Sequence, residues 1–247
     1  MNGDLTRLLQ EWPYDPDQNI RLVDAEGGRQ VLQVRQPLGI EQYELDGRPD
    51  GVHPGGHDTT VAAVQDRLAA HVAAQKSEAG FTLTHTECSA MQNEGVLFYY
   101  RYLMLYQLND FDRVVRDTAH NLAICDLLQR FCDSESDRIA VLQYKPYIYR
   151  MHAAAQAMRQ IQLNDRSRAR ETIKAAIGVI QAMKEVDTPA FQFERVRSVN
   201  YLRSTLDKID TEHDDPVFDL ESELADAVAR EDYERAAELR DHIRGLT

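Results

Sequence analysis

The chain has 247 residues, 43% of them hydrophobic, with 12 Gly and 8 Pro, which is ordinary globular composition. Its 28 Lys and Arg against 41 Asp and Glu give a formal charge of −13. That field repels phosphate backbones and anionic lipid heads. No run approaches the ~18 apolar residues of a membrane span, and the N-terminus has neither the n-region nor the h-region of a signal peptide. We therefore expect a cytoplasmic protein, with nucleic acid and membranes disfavoured as partners.

The three cysteines are Cys88, Cys125 and Cys132. Their odd number and wide spacing argue against a disulfide framework and against a CxxC metal knuckle. Cys125 and Cys132 stand seven apart in a helical pattern, where two small buried hydrophobic residues are expected.

Residues 1–57 are predicted to form a small β-meander region. A short helix from Leu5 to Glu11 precedes three β-rich stretches at 20–23, 31–34 and 40–45. The segment 46–57 holds four glycines and two prolines, so it is predicted to be a turn-rich loop that leaves the sheet.

Residues 58–210 show helical periodicity, with Asp58 or Thr59 placed to cap the first helix. Within this region the tetrapeptide 107–110, Gln-Leu-Asn-Asp, recurs identically at 162–165. Helix, Leu-Asn-Asp turn and helix is the pattern of tetratricopeptide-like repeats, although the offset exceeds their ~34 residues. An extra helix at 134–143 accounts for the difference, and a last helix is predicted at 193–209. The fold class predicted is thus mainly α, with a body of helical hairpins.

An acidic, proline-containing linker at 211–216 separates a small module at 217–247. Two apolar stripes predict two helices that meet at a turn around 230–232. A module of this size buries little apolar area by itself. The apolar side chains that remain exposed are therefore expected to pack against the body of the protein or against another chain.

The pattern Leu-x3-Leu-x2-Ala-Val-x2-Glu-Asp-Tyr-Glu-x-Ala-Ala-x-Leu-Arg-Asp-x-Ile-x2-Leu at 220–246 resembles the UVR motif of the excision-repair proteins UvrB and UvrC. In that family the motif is a helical hairpin that docks proteins, joining UvrB to UvrC, and it also occurs in adaptors linked to Clp proteases. The segment 38–51 resembles a signature of uncharacterised bacterial proteins that also carry the motif. The resemblance implies a bacterial adaptor whose hairpin binds a Uvr-type or Clp-type protein, or a second copy of itself.

Twelve residues of the hairpin are predicted to bind the partner, as apolar anchors with Arg240 among them or as acidic residues at the rim. The anchor set is Leu224, Val228, Tyr233, Ala236, Ala237, Leu239, Arg240 and Ile243. The rim set is Glu231, Asp232, Glu234 and Asp241.

The rest of the chain departs from the family members that have a known activity. It has no Walker A motif, no nuclease pattern and no paired CxxC. We therefore expect no enzyme activity and no cofactor. The alternative is an accessory factor of nucleotide excision repair or stress response that contacts nucleic acid through tyrosines and arginines at 99–106 and 144–150. The basic run at 159–174 is expected to be a solvated helix face, with an acidic partner or RNA as the alternative.

Two sets of residues could carry chemistry. His53 and His57 are four apart, but the Pro-Gly-Gly between them prevents the helix that would make them a metal pair, so no metal is expected there. His85, Glu87 and Cys88 could form a nucleophile set, yet no orienting acid follows, and a polar loop is expected. An enzyme centred on the Gly/His loop has only His53 and His57 in its favour.

Overall fold

A computed structural model describes residues 4–213, the helical positions 220, 224, 227 and 228, and residues 232–246. The described chain is mainly helical, with one small antiparallel sheet near its N-terminus. The predicted fold class is therefore confirmed.

The N-terminal region contains a short helix and a three-stranded meander. Helix α1 spans Thr6–Glu11, and the strands are β1 Ile20–Asp24, β2 Gln30–Gln36 and β3 Gly39–Glu44, paired in the order β1-β2-β3. Leu22, Leu32 and Tyr43 face one another across the three strands. The meander lies where the alternation of the sequence predicts it.

The sheet is joined to the helical body through the central strand. Leu32 and Val34 of β2 are buried, and with Tyr43 of β3 they belong to one apolar cluster. That cluster continues into Tyr102 and Leu105 of the first long helical hairpin. The meander thus shares a core with the body, although the sequence predicts it as a separate region.

The remaining helices follow in chain order. Of the two candidate caps, Thr59 caps the first helix by accepting a hydrogen bond from the Ala62 N–H at 3.0 Å. They are α2 Thr60–Gln75, α3 His85–Gln107, α4 Phe111–Phe131, α5 Glu135–Leu142, α6 Lys145–Gln162, α7 Arg166–Gln181, α8 Pro189–His213 and α9 Tyr233–Leu246. The extra helix predicted at 134–143 is α5.

The two Leu-Asn-Asp turns have the same geometry. Asn109 and Asn164 adopt the left-handed conformation, with φ of 56° and 58°. The Asp110 N–H donates to Leu105 O at 3.0 Å and the Asp165 N–H to Gln160 O at 2.8 Å, the 6→1 bond of a Schellman helix end.

Each aspartate then starts the next helix. The Asp110 carboxylate accepts from the Arg113 N–H at 3.2 Å, and the Asp165 carboxylate accepts from the Arg168 N–H at 3.0 Å. In each turn, the Asn of the Asn-Asp dipeptide ends one helix and the Asp begins the next. This shared role explains why the same tetrapeptide occurs at both turns.

The body is a row of packed helices. Helix α3 packs on α4, α4 on α6, α6 on α7, and α8 on both α6 and α7. Small residues of α6, among them Ala153 and Ala157, let α7 and α8 approach closely, and the three helices share an apolar cluster that includes Ile173 of α7 and Leu202 of α8. These helical hairpins match the prediction, whereas the likeness to tetratricopeptide repeats stays a prediction.

A buried ion pair connects this body to the end of the sheet. Arg101 of α3 and Asp117 of α4 are both fully buried, with Nε–Oδ2 and Nη2–Oδ1 distances of 2.7 and 2.8 Å. The third nitrogen, Nη1, donates to Glu44 O at 2.7 Å and to Gly47 O at 3.0 Å. The Gly-rich loop is therefore anchored where it leaves β3.

A second buried network fixes the other end of that loop. The Glu94 carboxylate accepts from the Thr60 N–H at 2.6 Å and the Val61 N–H at 3.1 Å, at the N-terminus of α2. It also contacts Arg48 at 3.1 Å and His120 at 2.9 Å. Burial opposes its charge, but the hydrogen bonds from His120 and Thr60 prevail and lower the pKa of Glu94 to about 2.

Replacing Arg101 with Met is expected to lower the free energy of unfolding by about 3–5 kcal/mol, because Asp117 would remain buried without its partner. Urea denaturation followed by circular dichroism measures the change. The matched control is Arg130→Met, which removes solvent-exposed pairs with Glu78 and Asp126 and should lower the free energy of unfolding much less. Equal losses in both variants would show that the buried pair does not hold the body together.

The Glu94 network gives the stability a defined pH dependence. The folded pKa of about 2 lies below the ordinary 4.5, so the carboxylate stabilises fully above pH 4.5 and less as pH falls towards 2. Glu94→Gln should be less stable at pH 7 by about 3 kcal/mol, and the difference from wild type should shrink across that window. Urea titrations of both proteins between pH 7 and 2 test this, and a constant difference would contradict it.

Candidate functional site

The C-terminal module has a small apolar seam. Ala227, Ala236 and Leu239 are buried against one another, with Leu220 and Leu224 packed on them. Leu239 is only 2% exposed. Alanine at two of these positions, Ala227 and Ala236, allows the described helical positions 220, 224, 227 and 228 to lie close to α9.

The connection before α9 uses the same device as the two Leu-Asn-Asp turns. The Asp232 N–H donates to Ala227 O at 2.9 Å, a 6→1 bond, and the Asp232 carboxylate accepts from the Arg235 N–H at 3.1 Å. Asp232 is therefore a helix cap as well as a predicted rim residue. Asp232 therefore fixes how α9 begins relative to Ala227, and the other predicted residues lie on the helices that it joins.

The predicted partner-binding residues divide by exposure. Val228 and Tyr233 are 52% and 69% exposed, although both are large and apolar. Ala236 and Leu239 lie in the seam, Leu224 and Ile243 are half-buried, and Ala237, Arg240, Asp232 and Asp241 are exposed. Glu231 and the side chain of Glu234 lie outside the described residues.

The described residues form a body of helical hairpins, followed by a C-terminal helical module in which Val228 and Tyr233 are exposed. A family model for the UvrB/uvrC motif matches this module at residues 219–246. The chain thus carries a UVR motif at its C-terminus, a motif associated with protein contacts and DNA repair. Searches of curated proteins and of solved structures gave no significant match.

The tyrosines and arginines of the body are mostly core residues. Arg101 and Tyr102 are fully buried, and Arg150 is 5% exposed with its guanidinium over the rings of Tyr147 and Tyr201. Buried guanidinium groups cannot reach phosphates. Tyr100 and Tyr144 remain exposed, so the stacking surface of the nucleic-acid alternative is smaller than the sequence suggests.

A pocket of about 390 Å³ opens between α3, α4, α5, α6 and α8. Its wall is largely aromatic and includes Tyr99 and Tyr147, whose rings lie 5.9 Å apart. Among the described residues, the Tyr102 hydroxyl, Asn121 Oδ1 and Glu194 Oε2 of this wall have no hydrogen-bond partner. The pocket can take a group of side-chain size that combines N–H donors with an apolar stem.

Sequence reasoning located the tyrosines of this pocket but missed Asn121 and Glu194. Both come from other helices, α4 and α8, and neither stands in a motif. Their polar character at positions on an otherwise apolar face was the available signal.

The other candidate residues do not assemble into a reactive site. His53 lies 3.5 Å from Asp58 of the loop, and His57 lies 3.3 Å from Asp66 of α2, so each histidine pairs with a different acid. Of the basic run, Arg159 pairs with Asp112 at 2.6 Å on the protein surface. These contacts agree with a turn-rich loop and a solvated helix face.

His85, Glu87 and Cys88 are not a loop but the first turn of α3. Glu87 and Thr84 form a capping box, in which each side chain bonds the other's backbone N–H. Burial and the neighbouring Cys132 raise the pKa of Cys88 to about 12, so its thiol stays protonated at neutral pH. The prediction of a polar loop here is wrong, because the capping box of Thr84 and Glu87 starts a helix at His85.

Leu239→Asp is expected to unfold the hairpin while the body stays folded, because the charge would enter the buried seam at a cost of about 3 kcal/mol or more. Hydrogen exchange of the α9 amides should accelerate, with unchanged protection in α3 and α4. Ala237→Asp, on the exposed side of the same helix, is the control and should leave exchange nearly unaltered. Protected α9 amides in Leu239→Asp would contradict the assignment of Leu239 to the seam.

Proposed function

We propose that this protein is a non-catalytic adaptor that docks a protein partner through its C-terminal UVR hairpin. The observation that carries the proposal is the exposure of Val228 and Tyr233, 52% and 69%, beside a seam that is already filled. An apolar valine and a tyrosine ring in water favour burial against another chain.

These two residues lie close together in sequence on either side of the turn. Val228 belongs to the first helical segment, and Tyr233 is the first residue of α9 after the cap Asp232. In this proposal they supply the apolar part of the contact with a partner, and the exposed Asp232 beside Tyr233 supplies a charge. A tyrosine anchor with a polar rim is the usual anatomy of a binding hot spot.

The seam residues support docking indirectly in this proposal. Ala236 and Leu239 hold the two helical segments together, and so they position Val228 and Tyr233 instead of contacting the partner. Ala237, Arg240 and Asp241 are exposed on α9 and can extend the contact along the helix. The two kinds of residue are separable by mutation.

The partner class proposed is a protein of the Uvr or Clp type, or a second copy of this chain, as the motif suggests. The alternative, an accessory factor that contacts nucleic acid, draws little support from the body because Arg101 and Arg150 are buried. No helix among the described residues has the length and apolar character to cross a membrane.

The test is a pull-down with the whole chain beside the double variant Val228→Asp and Tyr233→Asp. Captured proteins are identified by mass spectrometry, then purified and titrated against both forms. We expect the affinity of a true partner to fall at least tenfold, because two apolar contacts are replaced by charges. The control is Leu38→Asp, which places the same charge at a residue that is 93% exposed in the sheet hairpin.

Two outcomes would overturn the adaptor proposal. Identical partner lists and affinities for the double variant would move the interaction into the helical body. Salt-dependent binding of single-stranded DNA or RNA, without a protein partner, would favour the alternative. Sedimentation velocity of the whole chain separates self-association from docking of a different protein.

A further inference from the structure

Three side chains from three separate helices meet at one end of the body. Cys88 lies in the first turns of α3, Cys132 caps the C-terminus of α4, and Asp137 lies in the first turn of α5. One ligand atom from each, the two Sγ atoms and a carboxylate oxygen, lies within 4.8 Å of the other two. Both cysteines are buried and Asp137 is half-buried.

Backbone hydrogen bonds hold Cys88, Cys132 and Asp137 close together. The Leu83 N–H donates to Phe131 O at 2.9 Å, which holds the start of α3 against the end of α4. Ser134 caps α5 by accepting from the Asp137 N–H at 3.3 Å, so the carboxylate is directed by the helix N-terminus. The three groups are therefore preorganised by the fold.

The distances suit a small tetrahedral metal ion. The two Sγ atoms are 3.3 Å apart, whereas two thiolates on one Zn²⁺ at 2.3 Å each are separated by about 3.8 Å. An opening of about 0.5 Å, small for side chains at helix ends, would admit the ion. We propose that Cys88, Cys132 and Asp137 bind one Zn²⁺, with a fourth coordination position left for another ligand.

His85 supports the carboxylate in this site. Its Nδ1 lies 2.8 Å from Asp137 Oδ2, and its side chain is largely exposed. Carboxylate ligands of metals are commonly held by such a second hydrogen bond. His85 is outside the cluster of three ligand atoms, so we assign it a positioning role.

Two thiolates and a carboxylate favour Zn²⁺ over Mg²⁺ or Ca²⁺, which prefer oxygen ligands alone. Binding is balanced by proton release: two S–H bonds break, two Zn–S bonds form, and two protons pass to the buffer. The metal-free site also satisfies its atoms, because the Cys88 thiol donates to Cys132 and the Cys132 thiol donates to Ser134 O at 3.4 Å. The body should therefore fold without the ion and gain thermal stability with it.

The experiment titrates the whole chain, purified under reducing and metal-free conditions, with Co²⁺ as a spectroscopic probe and then with Zn²⁺ in competition. We expect one ion per chain, a thiolate-to-cobalt charge-transfer band and the visible bands of tetrahedral cobalt. Cys88→Ser should abolish the charge-transfer band or greatly reduce it, and Asp137→Asn should weaken affinity at least tenfold. His85→Ala should weaken affinity roughly 10–100-fold while the band at saturation is unchanged.

The chain supplies a matched control in its third cysteine. Cys125 is fully buried in a different cluster, with Leu142 and Ile148, so Cys125→Ala should bind the metal as wild type does. If Cys88→Ser does not fold, the wild-type protein alone still tests the site, because each Zn²⁺ bound should release two protons in weakly buffered solution.

Three results would overturn the proposal: no charge-transfer band at millimolar Co²⁺, a band that survives unchanged in Cys88→Ser, or release of no protons on addition of Zn²⁺. Rapid formation of a Cys88–Cys132 disulfide with peroxide, in a protein without metal affinity, would instead identify the cluster as a thiol pair.

Discussion

Arg101 projects from the middle of α3 and joins three elements with one guanidinium group. It forms two bonds to Asp117 of α4, and its third nitrogen bonds the backbone carbonyls of Glu44 and Gly47. A buried cation is costly unless every donor is satisfied, so this arrangement permits essentially one placement of the sheet on the hairpin. The apolar cluster between the sheet and the α3–α4 hairpin depends on this placement of the sheet.

The Gly-rich loop has a structural role that follows from these contacts. Its first part is held by Arg101, while Arg48 reaches Glu94, which in turn caps α2. The loop thus connects the sheet, α2, α3 and α4 through buried polar groups. Polar networks of this kind specify one arrangement, because any other would leave charges unpaired.

The three helix junctions each use one aspartate in the same way. Asp110, Asp165 and Asp232 each donate the last bond of one helix and accept the first bond of the next. The body and the UVR hairpin therefore share a junction chemistry. The hairpin covers Ala236 and Leu239 but leaves Val228 and Tyr233 in water.

Local sequence was sufficient for the meander, the loop at 46–57, the helices and the UVR motif. Alternation, helical periodicity, caps and turn residues act over a few positions, so they can be read without the fold. The identity of the two Gln-Leu-Asn-Asp segments likewise predicted two equivalent turns. The first turn of α3 was misjudged as a loop although its capping box was present.

Only the tertiary structure could show which side chains meet. Cys88 and Cys132 are far apart in the chain, and their contact depends on how α3 and α4 pack. The tyrosines and arginines of the body show the same limit, since composition suggested a surface and packing made most of them core. Sequence by itself determined the elements and the motif, because those depend on neighbours along the chain. Which side chains are buried, and which of them come together, was decided by helix packing, because both depend on neighbours in space.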